Sequence, residues 1–398
     1  MKKVFIVLII CFVIAASAFF MWSNPELGQD MGNAITTFFD NLIEGKYKEY
    51  TTEFKINDLA VSNSDFYFKT LTDDQKKMYT AVAVAVKDIE PVAKIKGYEN
   101  NIDDVIVTDA SAAMEAFFAD HPEAFYVDMQ YEVYTIKSVF GKNVQIKLKY
   151  TSEDKNVIKE QANTLKSKID SIISGITATT EIEKEIQLHD KLCEMVQYYN
   201  YTNIDDIPVD KHTSYGALVK NSAVCDGISK AMQILLDKAG IENILVIGQI
   251  DELHAWNLVK LDGQWYHLDA TSNKSLKDNS NYIIHSYFNV TTNEILKTHT
   301  IQKREVLPEA NSTKYNYYIY KNLYIKNIDD FNLKLQSIIS DNKNNKILEF
   351  AVEQGIADVP DKMISSMQTN KNTEYLTENL TKVSYYNILN SYIVKKVL

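Results

Sequence analysis

The chain has 398 residues, 45% of them apolar, enough for two or three domains that each bury a core. Its net charge of −11, with no basic stripe, excludes nucleic acid as a partner, because the summed field repels phosphate. Three cysteines and the lack of Cys-x-x-Cys or His-Glu-x-x-His spacings rule out a disulfide framework and write no metal site into the sequence, so no cofactor is expected. In chain order, Met1-Lys2-Lys3 precedes an apolar run from Val4 to Trp22 that only Ser17 interrupts. Residues 1–22 therefore read as a signal peptide or a membrane anchor. The length of the run favours the anchor, although Ala16-Ser17-Ala18 offers a cleavage site. The lysines stay in the cytoplasm, which places the rest outside, membrane-anchored or secreted.

Residues 23–150 read as an N-terminal α+β domain. One amphipathic helix is expected over Met31–Leu42. Another is capped by Thr72 with Asp73 and Asp74 in its first turn, and a third begins near Thr108-Asp109 and stops at His121-Pro122. Phe125–Val139 and Asn143–Tyr150 alternate around Gly141-Lys142 like two hairpin arms. Amphipathic helices follow over Glu153–Ile173 and Glu181–Tyr199. The second carries His189, Asp190 and Cys193, which read as a helix surface packed on the next segment.

The chemistry is concentrated in residues 151–305. Ile228, Ala231, Met232, Leu235 and Ala239 recur at helical spacing until Gly240, which puts Cys225 at a helix N-terminus. There the helix dipole and a nearby imidazolium favour a thiolate, the form that attacks carbonyls. A disulfide between Cys225 and Cys193 is the structural alternative. Two strands follow, Ile244–Ile250 and His254–Leu261, and the second turns at Asp262-Gly263 into Gln264–Thr271. If Leu261 pairs with Gln264 across a two-residue turn, Trp256 faces Asp269 and His254 is its diagonal neighbour on the same face, about 7 Å away. A three-residue loop would put them on opposite faces. Cys225 as nucleophile, His254 as base and Asp269 as the residue that orients the base then complete a constellation for acyl transfer. The Cys225 N–H is the default oxyanion donor, with Tyr215 and Trp256 as candidates for oxyanion or substrate binding; His267 reads as packed.

Ser214-Tyr215-Gly216-Ala217-Leu218, Val224-Cys225-Asp226-Gly227, His254-Ala255-Trp256-Asn257 and Trp265-Tyr266-His267-Leu268-Asp269-Ala270-Thr271 together resemble the core of bacterial transglutaminase-like proteins. The resemblance implies an α+β fold with a papain-like core, a helix packed on an antiparallel sheet, and a Cys225, His254, Asp269 triad. It extends to Tyr287-Phe288-Asn289-Val290 as a following strand, and more loosely to Leu71–Val139 as a leader domain. Nothing matches the calcium sites of animal transglutaminases. Residues 306–398 read as a small β-α-β-α-β domain, with strands at Tyr315–Ile325, Lys346–Val352 and Val383–Val394 and helices at Asp329–Ser340 and Pro360–Met367. The expected function is an extracytoplasmic cysteine hydrolase or acyltransferase acting on peptide or carboxamide bonds, with cell-wall peptide a candidate substrate. The alternative is a non-catalytic scaffold of the cell envelope.

Overall fold

The structure is a computed structural model that describes residues 65–98, 102–138, 141–273 and 283–327, and most of 329–362 and 384–395. The apolar N-terminal run and the Met31–Leu42 helix lie outside the described residues. Among those described, no helix is long and apolar enough to cross a membrane. The chain divides into two compact units, one formed by Tyr67–Phe118 with Tyr126–Ile158 and the other by Ala119–Phe125 with Lys159–Leu398.

In the first unit the helix Asp73–Lys87 starts where the sequence predicts. The Thr72 hydroxyl accepts from Gln75 N, and the Gln75 side chain returns a bond to Thr72 N. Met78, Val82 and Val86, spaced four apart, are fully buried. The helix expected from Thr108 starts earlier and spans Asp103–Asp120, because Asp103 and Asp104 already supply an acidic first turn. Strands β1 (Val92–Ile95), β2 (Val127–Ser138) and β3 (Gly141–Tyr150) form an antiparallel sheet in the order β1-β3-β2. Ser138 pairs with Gly141, as a hairpin requires.

The second unit contains the helices Lys155–Ser174, most of which lies in it, and Glu181–Met195, then the short parallel pair β4 (Gln197–Tyr198) and β5 (Ser222–Ala223). The helix Cys225–Lys238 comes next, with Ile228, Ala231, Met232 and Leu235 buried as predicted. Burying each large apolar side chain contributes about 1.5–3 kcal/mol. The helix packs on a five-stranded antiparallel sheet made of β6 (Asn243–Gln249), β7 (Leu253–Leu261), β8 (Gln264–Leu268), β9 (Phe288–Val290) and β10 (Thr300–Ile301), in the order β10-β6-β7-β8-β9. Asn257 Nδ2 donates to Ser229 O at 3.1 Å, and the Ser229 hydroxyl sits 2.7 Å from Ala255 O, so helix and β7 are tied by polar bonds as well as by packing. At Gly248 a Cβ would stand 1.9 Å from Thr300 O and 2.6 Å from the Trp256 ring, so only glycine lets β10 lie against β6 there.

The final sheet follows the order β11-β12-β14-β13 and comprises β11 (Tyr324–Ile325), β12 (Ile347–Val352), β13 (Ser384–Ile388) and β14 (Ser391–Lys395). Phe331, Leu335 and Ile338 of the helix Phe331–Asp341 share a buried core with Ile325, Phe350 and Val352. Two expectations fail locally. Tyr315–Ile325 is not one strand but a single helical turn, Tyr317–Tyr320, followed by β11, because stacking Tyr317 on His285 and burying Tyr318 override the strand preference of tyrosine. Val383–Val394 is a hairpin, with Leu389 at φ 47° turning the chain. Most of Pro360–Met367 lies outside the described residues.

Candidate active site

Leu261 pairs with Gln264, and Asp262 and Gly263 both have positive φ (49° and 74°), the geometry of a two-residue hairpin turn. Asn257 is paired with Leu268, so the parity that the turn sets brings His254 and Asp269 to the same face. His254 Nε2 donates to Asp269 Oδ2 at 2.9 Å. The Cys225 thiol acts on the same ring, and its sulfur lies 3.9 Å from Leu253 O. Cys225 is the first residue of its helix, is half-buried and is not paired with Cys193. Burial works against a charged His254 ring, but the charge and hydrogen bond of Asp269, followed by those of Cys225, outweigh it and push the imidazole up to about 10.

Asp269 is fully buried, yet its carboxylate is completely satisfied. Oδ1 accepts from Thr271 N at 2.9 Å and Ser272 N at 3.0 Å, and Oδ2 accepts from His254 and, at 3.1 Å, from His299 Nε2. Burial raises the carboxyl, but the two imidazoles outweigh it and hold Asp269 well below the usual carboxylate range. His299 is the residue that the sequence reading missed. It lies 30 positions beyond Asp269, its Nδ1 is 2.8 Å from Thr298 Oγ1, and the β10–β6 pairing next to it brings it home. A lone histidine before a two-residue strand carries no local signal; the only clue is that Thr300-Ile301 can form an edge strand.

Trp256, read as a candidate for oxyanion or substrate binding, is fully buried. Its ring stacks on His254 with centroids 5.9 Å apart, meets His299 edge-on, and donates from Nε1 to His267 Nδ1 at 2.9 Å. It therefore supports the imidazoles from behind instead of facing a substrate. That bond leaves His267 as an acceptor, and burial pulls its imidazole down to about 3. Tyr215 stacks on Phe125 with centroids 4.8 Å apart, and Lys220 lies over its ring. The tyrosines that sense the charge of Cys225 are Tyr198 and Tyr201. Tyr198 is placed by the β4–β5 pairing, opposite Ala223, and the Tyr201 hydroxyl donates to Glu252 Oε2 at 2.9 Å. Beside the thiol, Asp226 is bonded by His212 (3.0 Å) and Lys230 (3.3 Å).

Among the described residues two groups bring metal-ligating atoms within 4.8 Å of one another, His254 with Asp269 and His299, and His189 with Asp190 and His285. In the first, the carboxylate already receives both imidazole N–H groups. The arrangement is that of a thiol beside an imidazole, with a buried carboxylate that orients the ring and favours its charged form.

Two solved structures are similar to parts of the chain. The crystal structure of a TGase aligns at 14% identity with a TM-score of 0.27, covering 38% of this chain and 46% of that one. The structure of a candidate cysteine protease from Cytophaga hutchinsonii aligns at 13% identity with a TM-score of 0.22, covering 36% and 62%. The chain thus spans less than two thirds of the length of either. No curated protein matches it. The model of the transglutaminase-like superfamily matches residues 168–270, so the segment that carries Cys225, His254 and Asp269 is a transglutaminase-like domain.

Proposed function

We propose that the protein is a cysteine acyl-transfer enzyme acting on peptide or carboxamide bonds. Cys225 is the nucleophile, His254 the general base and Asp269 the residue that orients it. The observation that carries this is the 2.9 Å bond from His254 Nε2 to Asp269 Oδ2, with the Cys225 thiol, at a helix N-terminus, acting on the same ring. The thiolate adds to the carbonyl carbon. The imidazolium gives its proton to the departing amine, and a thioester remains on Cys225. Water or a second amine, deprotonated by the now neutral His254, releases the acyl group. Hydrolysis and amine transfer use the same residues, and hydrolysis is the expected default because water is always present. Oxyanion charge falls to the Cys225 N–H. The apolar run from Val4 to Trp22 supports an extracytoplasmic setting, anchored or secreted, and peptide-bearing envelope material as substrate.

Wild-type protein and Cys225→Ala, incubated with envelope fractions and with glutamine- and lysine-containing peptides, are compared by mass spectrometry for cleaved, deamidated and cross-linked products. Products that depend on Cys225 support the proposal, and acid quenching should trap an acyl adduct on it. A wild type that yields neither product nor adduct would leave the fold as a scaffold.

A further inference from the structure

We propose that Asn273 is a positioning residue for the Asp269 carboxylate, held in place by a chain of hydrogen-bonded side chains that runs from Glu349 through His285 and the half-buried Asp190 to His189. The inference rests on the reading of Cys225 as nucleophile and concerns the device that keeps its base in order. Asn273 is fully buried and closes the turn that follows Asp269, its N–H donating to Asp269 O at 3.1 Å. The two N–H groups that hold Asp269 Oδ1 belong to Thr271 and Ser272, inside that turn, so the position of Asn273 sets their direction.

The orientation of the Asn273 amide is determined. Oδ1 accepts from Tyr287 N at 2.8 Å, so the NH2 group is the end that faces His189 Nε2, at 3.1 Å. His189 Nε2 must therefore be an acceptor. Its single proton sits on Nδ1 and is donated to Asp190 Oδ1 at 2.9 Å. Burial lowers this ring, but Cys193 and Asp190 outweigh it and push it up to about 9, toward a second proton on Nε2. The Asn273 NH2 group aimed at Nε2 opposes it. Asp190 Oδ1 also accepts from His285 Nε2 at 3.0 Å, and His285 Nδ1 donates to Glu349 Oε2 at 2.9 Å. Burial alone would lower His285, but Glu349 and Asp190 together push it up to about 9, so the ring is a cation; it also lies flat on Tyr317, 3.6 Å between centroids. Cys193 adds a second tie to the turn through its thiol, which donates to Ala270 O at 3.4 Å.

His189, Asp190 and His285 are also grouped as metal ligands would be. A metal on His189 Nδ1 would force a proton onto Nε2, against the Asn273 NH2, whereas the hydrogen-bonded chain needs no proton there. The groups facing the Cys225 and His254 pair, which are Asp269, His299, Tyr198, Tyr201, Glu252 and Asp226, are all outside this chain.

The test compares the full-length protein with Asn273→Leu, His189→Leu and His189→Gln. The rate at which iodoacetamide alkylates Cys225 is followed between pH 5.5 and 9 by peptide mass spectrometry. Both leucine variants should melt cooperatively, alkylate at least about tenfold more slowly at pH 6.5 and regain speed only at higher pH, as expected when the imidazolium is less well held. His189→Gln keeps an acceptor for Asn273 and should stay within about threefold of wild type. Leucine variants with the wild-type pH profile, or a glutamine variant as slow as leucine, overturn the proposal. If neither leucine variant folds, 15N NMR of the wild type decides: His189 protonated on Nδ1 alone between pH 6 and 8 supports the inference, and a proton on Nε2 refutes it. Should the wild-type Cys225 itself react no faster than an ordinary thiol, the enzymatic reading fails; a fast wild type with equally fast leucine variants sinks this inference alone.

Discussion

Replacing Asp269 with asparagine changes one atom of the site and reverses its polarity. Oδ1 keeps the Thr271 and Ser272 N–H groups, but an NH2 group now stands where His254 and His299 both donate. His254 must turn its lone pair toward residue 269 and its proton toward Cys225, the wrong tautomer for a base. In the native site the imidazole is carried from its ordinary 6.5 to about 10. At 1.36 kcal/mol per pH unit this favours the charged ring by about 5 kcal/mol, roughly three orders of magnitude. Losing it removes, at pH 6.5, the imidazolium that favours a thiolate beside it. Alkylation by iodoacetamide at that pH is therefore expected to fall about 100-fold, with the gap narrowing toward pH 9. Acyl transfer should fall further, by about 10³ to 10⁴, because the base has the wrong tautomer. Buried Cys193 serves as the internal reference. An Asp269→Asn protein that keeps the wild-type alkylation profile would refute the claim that this carboxylate controls the imidazole.

Three further outcomes follow from the same structure. His299→Leu removes one of the two imidazole donors to Asp269 and should slow alkylation of Cys225 at pH 6.5 by about tenfold, less than Asp269→Asn, at a cost of about 1–3 kcal/mol in urea unfolding; a silent variant would make His299 mere filler. Burial lifts Glu185 to about 8 against the bond that it receives from Asn289. Because the folded value lies above the ordinary one, the stabilisation is complete below about pH 4.5 and is lost as pH rises to 8, about 3 kcal/mol of it by pH 7. Glu185→Gln, which resembles the neutral acid, should flatten that decline in urea melts, and an unchanged pH slope would contradict the assignment. Gly248→Ala drives a Cβ into Thr300 O and the Trp256 ring, and is expected to cost 3 kcal/mol or more in thermal or urea unfolding and to slow Cys225 alkylation, since both neighbours support the imidazoles. Unfolding and alkylation at wild-type values would show that β10 can shift freely.

The parts of the site that could be read from the sequence were those set by local rules. Asp262-Gly263 announced a two-residue turn, and the alternation of a strand then placed His254 and Asp269 on one face. The helical recurrence from Ile228 to Leu235 put Cys225 at a helix start. What stayed hidden depends on contacts distant in sequence. His299 is delivered by an edge strand, and Asn273 matters through a helix 84 residues away. His189 and Cys193, four apart on one helix face, read as packing from the sequence; both are buried, but they lie 3.6 Å apart and are bonded into the turn behind Asp269. Tyr315–Ile325 misled because tyrosine favours strands, whereas His285 and Glu349, supplied from elsewhere in the chain, recruit Tyr317 into a stacked turn.

The four donors to Asp269 come from three separate stretches of chain, at residue 254, at 271–272 and at 299. During synthesis from the N-terminus, Cys225 emerges long before the last of them. A growing polypeptide therefore carries an ordinary sulfhydryl until residues 254 and 269 have folded together, and the set of donors is complete only once residue 299 has docked. On the acyl-transfer reading, reactivity would thus build up stepwise and late in synthesis.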